Sequence, residues 1–183
     1  MENLCLMELK GQDNKGVFFL KKVLIGIISI VVLFIGLLFF LKLYQPLVAH
    51  PSASANEKQV QLVSVGNKSP FGDIQIEKVL VNDKVVPSKV KIQVSYHPKG
   101  FIISDHFNGE EESEYTFKGL DSITLKPKTD PQKQLDKVNA GTATEDDTIY
   151  ALSLVHEQSI DRVIIKYHHL GMSHELVVSM VGF

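Results

Sequence analysis

Two histidines near the C-terminus are the residues of this chain best spaced for chemistry. In the stretch 162–169, Val163, Ile165, Tyr167 and His169 fall on one face of an extended strand. In 174–181 the matching set is His174, Leu176, Val178 and Met180. A two-residue turn at Gly171-Met172 joins the two, with glycine first as a type II′ turn wants. That turn opposes Val163 to Met180, Ile165 to Val178, Tyr167 to Leu176 and His169 to His174. On the other face Lys166 meets Val177 and His168 meets Glu175. Imidazoles about 5 Å apart at their Cβ atoms offer two nitrogen ligands. A third ligand from a loop would complete a zinc or copper site at His169 and His174. The plainer reading is that the pair caps the end of a core face.

The remaining candidates carry less. Ser104, Asp105 and His106 are contiguous, but a catalytic triad is assembled in space, and neighbours on a strand end point apart. There is no G-x-S-x-G elbow and no H-E-x-x-H. Gly66-Asn67-Lys68-Ser69 lacks the first glycine of a phosphate loop. The acidic runs Glu110-Glu111-Glu112 and Glu145-Asp146-Asp147 lack the spacing that wraps a calcium ion. Asn67-Lys68-Ser69 is a formal glycosylation acceptor. With no tryptophan, a sugar-stacking cleft is poorly supported. The single cysteine, Cys5, excludes an intramolecular disulfide framework and any multi-cysteine zinc site.

Two dissimilar pieces of chain must position these residues. Residues 1–55 are 60% apolar and carry five lysines against three acids; residues 56–183 are about 38% apolar, with fourteen basic and eighteen acidic residues. The cause is the run 23–41, nineteen residues without a charge, of which sixteen are Leu, Ile, Val or Phe. At about 1.5 Å per residue it matches a bilayer core of about 30 Å. Lys10, Lys15, Lys21 and Lys22 precede the run, and only Lys42 and Lys58 follow it closely. The excess of positive charge places the N-terminus in the cytoplasm. Cys5 is then a cytoplasmic thiol. The expected organisation is a short tail over 1–16, a signal-anchor helix over 17–44, a flexible spacer over 45–58, and an extracytoplasmic domain over 59–183. Ala53-Ser54-Ala55 has the form of a cleavage site but lies fourteen residues beyond Leu41, which favours an uncleaved anchor.

Beyond the spacer, short apolar runs alternate with polar punctuation. Strands are expected at about 59–65, 73–81, 89–97, 100–104, 113–119, 121–126, 149–156, 162–169 and 174–181, with a bulge near Glu77-Lys78. Tyr115 and Phe117 read as an inward pair. The polar stretch 126–148 holds a short helix over 131–138, announced by Asp130 as N-cap and Pro131 at the first helical position. This pattern predicts an all-β domain, an immunoglobulin-like β-sandwich, behind one transmembrane helix.

A formal net charge of −2 argues against a nucleic-acid binder. The expected function is a single-pass, membrane-anchored binding module of a bacterial cell envelope. The lipid bilayer holds residues 17–44, and an envelope or membrane protein is the partner. A strand edge or the 126–148 segment would form its binding surface. A metal-binding or sensing domain using His169 and His174 is the alternative, followed by an enzyme without a recognisable motif.

Overall fold

The computed structural model describes residues 2–96, 99–108 and 114–180, with side chains from residue 18 onward. Residues 1–44 and 45–183 form two compact units. The first is the helix α1, Glu2–Leu43, so the helix extends back through the expected tail. Its stretch Phe18–Leu43 has a mean hydropathy of 3.2 and none of it is buried, which makes α1 long and apolar enough to cross a membrane. Twenty-six residues at about 1.5 Å each exceed a bilayer core of about 30 Å. Within the apolar run the Ser29 hydroxyl donates to the Ile25 carbonyl at 2.9 Å, so this polar group needs no water.

The second unit begins earlier than expected. Residues 45–58 are not a spacer: Leu47–Ala55 form strand β1, which pairs antiparallel with β2, Val60–Asn67. Few residues in β1 favour strands, and Pro51 reads as a breaker, which hides it in the sequence. An edge strand tolerates a proline because one row of its backbone groups has no ladder to join. A bulge between Pro51 and Ala53 leaves Ser52 as the extra residue. Its Oγ lies 2.6 Å from Ser64 Oγ and accepts the Ser64 N–H at 3.2 Å, standing in for a ladder bond. Leu47 then enters the core.

The other strands are β3 (Ile74–Val81), β4 (Lys89–Tyr96), β5 (Thr116–Lys118), β6 (Thr148–Val155), β7 (Arg162–His169) and β8 (Met172–Ser179). They form two antiparallel sheets. The larger has the order β1-β2-β6-β4-β5, and the smaller has β3-β7-β8. Both contribute inner faces to one core. Val63, Ile92, Tyr150, Leu152 and Leu154 come from the larger sheet; Ile74, Ile76, Val163, Ile165 and Tyr167 come from the smaller. The bulge in β3 falls between Ile76 and Lys78, where the apolar phase of the sequence shifts.

Two expected strands are absent. Residues 100–104 run as a loop, and 121–126 contribute only a bridge in which Ile74 and Leu125 exchange backbone hydrogen bonds at 2.8 and 3.0 Å. Phe117 lies opposite Gln93, whose side chain is on the outer face; its ring packs on Phe107 rather than inward. The expected helix is present as α2, Pro131–Asn139. Asp130 caps it by accepting the Gln132 N–H at 3.0 Å, and Gly141 ends it at φ +66°, a left-handed conformation natural to glycine.

The terminal hairpin forms with a different turn. Leu170 and Gly171, at φ 48° and 76°, occupy its centre, so the turn is of the I′ kind with both central residues left-handed. Val163 therefore faces Val178, Ile165 faces Leu176, Tyr167 faces His174, and His169 faces Met172. The whole ladder is shifted by two residues from the expected one. Every side chain keeps its face, and the outer face gains better partners. Lys166 now opposes Glu175, with Nζ 3.8 Å from the carboxylate, and His168 opposes Ser173, at 3.2 Å.

Candidate functional site

The larger sheet is buried on both faces along β2 and β6. At its middle the outer face carries Ser64 and Gly66 on β2, Gln93 on β4, and Ile149, Ala151 and Ser153 on β6, with Lys89 and Lys91 only at the start of β4. The residues at the middle are small or neutral, and two chain segments lie over them.

The first cover is the loop around Ile102. The Gln93 side chain donates to the Ile102 carbonyl at 2.6 Å and accepts the Ile102 N–H at 3.2 Å. The same amide nitrogen lies 2.7 Å from Ser153 Oγ. A buried glutamine thereby does for a loop what a neighbouring strand would do, satisfying one donor and one acceptor of its backbone. The second cover is the segment that leads into α2. A side chain at Gly66 would put its Cβ 1.9 Å from the Thr129 carbonyl oxygen, so only glycine lets this segment lie against β2. Thr129 fixes the approach: its N–H donates to the Asn67 carbonyl at 2.9 Å, and its hydroxyl accepts the Asn67 N–H at 3.0 Å. Beyond the helix, the Lys137–Asp147 ion pair and the Thr144 N–H, 2.9 Å from Asp147, fold the following loop back. Both partners hold the Asp147 carboxyl below its ordinary pKa, Lys137 the more strongly.

Between the two covers a groove of about 340 Å³ remains. Ser64 and Ile149 belong to its floor strands. Phe101 stands on the loop side, Pro131, Gln134 and Leu135 on the α2 side, and His50, Pro51 and Ser52 at the bulged edge. The lining contains no Asp, Glu, Lys or Arg. Leu135 is 48% exposed, whereas Gln134 is 4% exposed and its Oε1 has no hydrogen-bond partner. A concave, mostly apolar wall with a few fixed hydrogen-bonding groups is what a small-ligand site requires. The groove lies where the 126–148 segment meets β1, the strand whose sequence reads as a spacer. The residues missed were those of the floor. Their signal was a run of Ser, Gly, Ala and Gln at positions where a solvated face would carry lysine and glutamate.

His169 and His174 lie on the core face of the hairpin, both buried, but they are offset along the strands rather than opposed. The His169 Nε2 is 3.2 Å from the Phe71 carbonyl. The His174 ring stacks on Tyr167 with centroids 5.2 Å apart, and its Nε2 is buried without a partner. Burial holds the His174 imidazole below its ordinary pKa, and the nearby His169 and His168 act in the same direction. Burial pushes the Tyr167 phenol up to about 12; its hydroxyl lies near the Leu47 backbone without a well-formed hydrogen bond. Among the described residues no group of three His, Cys, Asp or Glu is clustered as metal ligands.

The other sequence candidates have local roles. Ser104, Asp105 and His106 bond to one another within a turn: Ser104 Oγ accepts the His106 N–H at 3.0 Å, and the His106 ring meets the Asp105 carboxyl. Asn67 is fully buried, and its Nδ2 donates to the carbonyls of Gly72 at 2.8 Å and Leu125 at 3.2 Å. That nitrogen is therefore committed to the fold rather than presented for glycosylation. Glu110-Glu111-Glu112 and the Cys5 side chain lie outside the described residues. Comparison with protein families, curated proteins and solved structures finds no match.

Proposed function

We propose that this chain is a single-pass membrane protein whose outer domain binds a ligand of the cell envelope or its membrane through the groove between β1 and α2. The observation that carries this reading is the groove itself: a walled concavity without Asp, Glu, Lys or Arg, on a sheet face largely covered by returning chain. The lysines before the apolar run favour a cytoplasmic N-terminus and an extracytoplasmic domain. A single-pass anchor keeps the domain at the membrane and raises its effective concentration toward membrane partners.

The strand order supports an immunoglobulin-like sandwich. Relabelled in chain order, β1-β2-β6-β4 corresponds to strands A-B-E-D, and β3-β7-β8 to C-F-G, the two sheets of the constant-type arrangement. In that correspondence β5 is an added edge strand. The domain lacks the inter-sheet disulfide of antibody domains, since it has no cysteine.

A photoreactive amino acid at position 135, compared with one at the exposed Val85 outside the groove, tests the binding role in membranes of producing cells. A discrete adduct from position 135 alone is expected. Equal adducts from both positions, or none from 135, would remove the groove from the account.

A further inference from the structure

We infer that the groove takes an uncharged, mainly apolar ligand of about one ring system in size, carrying a single N–H or O–H donor, as in an aromatic alcohol or an indole. This rests on the reading of the groove as a ligand site and specifies its chemistry.

Charge is the first argument. Of the 139 residues from 45 to 183, 32 are Asp, Glu, Lys or Arg, yet none of the fourteen lining residues is. Of the nearby lysines, Lys126 pairs with Asp73 at 2.6 Å and Lys137 with Asp147, while Lys128 and Lys133 are exposed and outside the lining. A carboxylate or phosphate entering the groove would lose its hydration and meet no Lys or Arg on the lining.

Hydrogen-bond capacity is the second. Ser52 and Ser64 bond to each other, and Ser52 also accepts the Ser64 N–H. The Thr129 hydroxyl donates to the Lys126 carbonyl at 2.7 Å and accepts the Asn67 N–H. The Gln132 amide donates to Asp136 at 3.2 Å. His50, at the bulged edge, is exposed to water. Gln134 differs: it lines the groove and its Oε1 is buried without a partner, an acceptor that a turn of the side chain would present to a ligand. One donor on the ligand would satisfy it. Size is the third argument, because about 340 Å³ lies at the small end of the range of ligand pockets and suits a ring rather than an acyl chain or an oligosaccharide. Phe101, Pro131, Leu135 and Ile149 supply the apolar walls.

The test uses the full chain in lipid nanodiscs, labelled with ¹³C at its Ile and Leu methyl groups, and three probes of similar shape. 4-Ethylphenol has the donor, 4-ethylanisole lacks it, and 4-ethylbenzoate is charged. Saturable shifts of the Leu135 and Ile149 methyls are expected with the phenol, with about tenfold weaker binding of the anisole and no response to the benzoate. In Gln134→Leu the phenol should fall to the level of the anisole, while the Ile165 methyl in the core reports that the domain is still folded. Binding of the benzoate as tight as that of the phenol would overturn the uncharged class, and equal binding of phenol and anisole would overturn the donor, with the groove still standing as a site in both cases. Unmoved Leu135 and Ile149 methyls with all three probes would overturn the groove as a ligand site.

Discussion

The outer faces of the two sheets are made differently. On the smaller sheet, Lys166, His168, Ser173, Glu175 and Val177 stand toward water, and Val177 is 52% exposed. On the larger sheet, Ala151 and Ser153 are buried beneath chain that returns across the strands, held by Gln93 on one side and admitted by Gly66 on the other. A face meant for water needs only solubility. A face meant to be covered needs small residues and fixed hydrogen bonds, and where the cover stops it leaves a shaped surface. The groove is thus a consequence of how the larger sheet is roofed.

This contrast can be broken at four points, in falling order of effect. Gly66→Val should be the most damaging, because its side chain collides with the Thr129 backbone; overpacking of this kind costs about 1–3 kcal/mol or more. Chemical denaturation of the full chain would measure it, and a stability equal to wild type would show that α2 does not need this approach. Gln93→Ala comes next. It leaves the Ile102 N–H and carbonyl without their side-chain partner, at a cost of roughly 1–3 kcal/mol for unsatisfied buried groups. Ser173→Ala on the open face should change the melting temperature hardly at all, so similar losses from the two variants would erase the distinction between the faces.

The third point is pH. The folded His174 has a lowered pKa, so its neutral form is the one the fold accommodates. Below the ordinary value of about 6.5 the unfolded chain binds the proton more readily. The stabilisation is therefore present above that pH and is lost as pH falls toward the folded-state pKa. Melting curves should decline across that window for the wild type and less steeply for His174→Phe, which keeps a ring beside Tyr167. Parallel declines would exclude His174 as the source. The smallest effect is expected from the Lys166–Glu175 pair, which is half-exposed and spans 3.8 Å. A double-mutant cycle should give a coupling under about 0.5 kcal/mol, reduced further by salt. Its value is diagnostic rather than energetic, because coupling of Lys166 to position 177 instead would indicate the other register.

That register shows how much of the fold was legible. Alternation in β7 and β8 identifies the strands and their buried faces, because a strand with one wet face must change character at every residue. It does not identify the register. A shift of two residues returns every side chain to the same face, so the II′ turn at Gly171-Met172 and the I′ turn at Leu170-Gly171 fit the apolar pattern equally well. What separates them is the outer face, where the actual ladder pairs Lys166 with Glu175 rather than with Val177. The helix α2 was legible from its cap and its proline. Strand β1 was not, because an edge strand can carry Pro51 and a bulge and draws its stability from β2. The groove was the least legible feature. Gly66 and Thr129 are sixty-three positions apart, and nothing local to either shows that they touch.

One measurement reaches both the placement of the domain and the contrast between its faces. Single cysteines are introduced as Ser173→Cys, Ser64→Cys or Ser153→Cys in a Cys5→Ser background, and intact cells are treated with a membrane-impermeant maleimide. Rapid labelling at position 173, slow labelling at 64 in the groove, and none at 153 beneath the loop is the expected result. Labelling at 173 only after lysis would place the domain on the other side of the membrane, and labelling at 153 as fast as at 173 would show that the larger sheet is not covered.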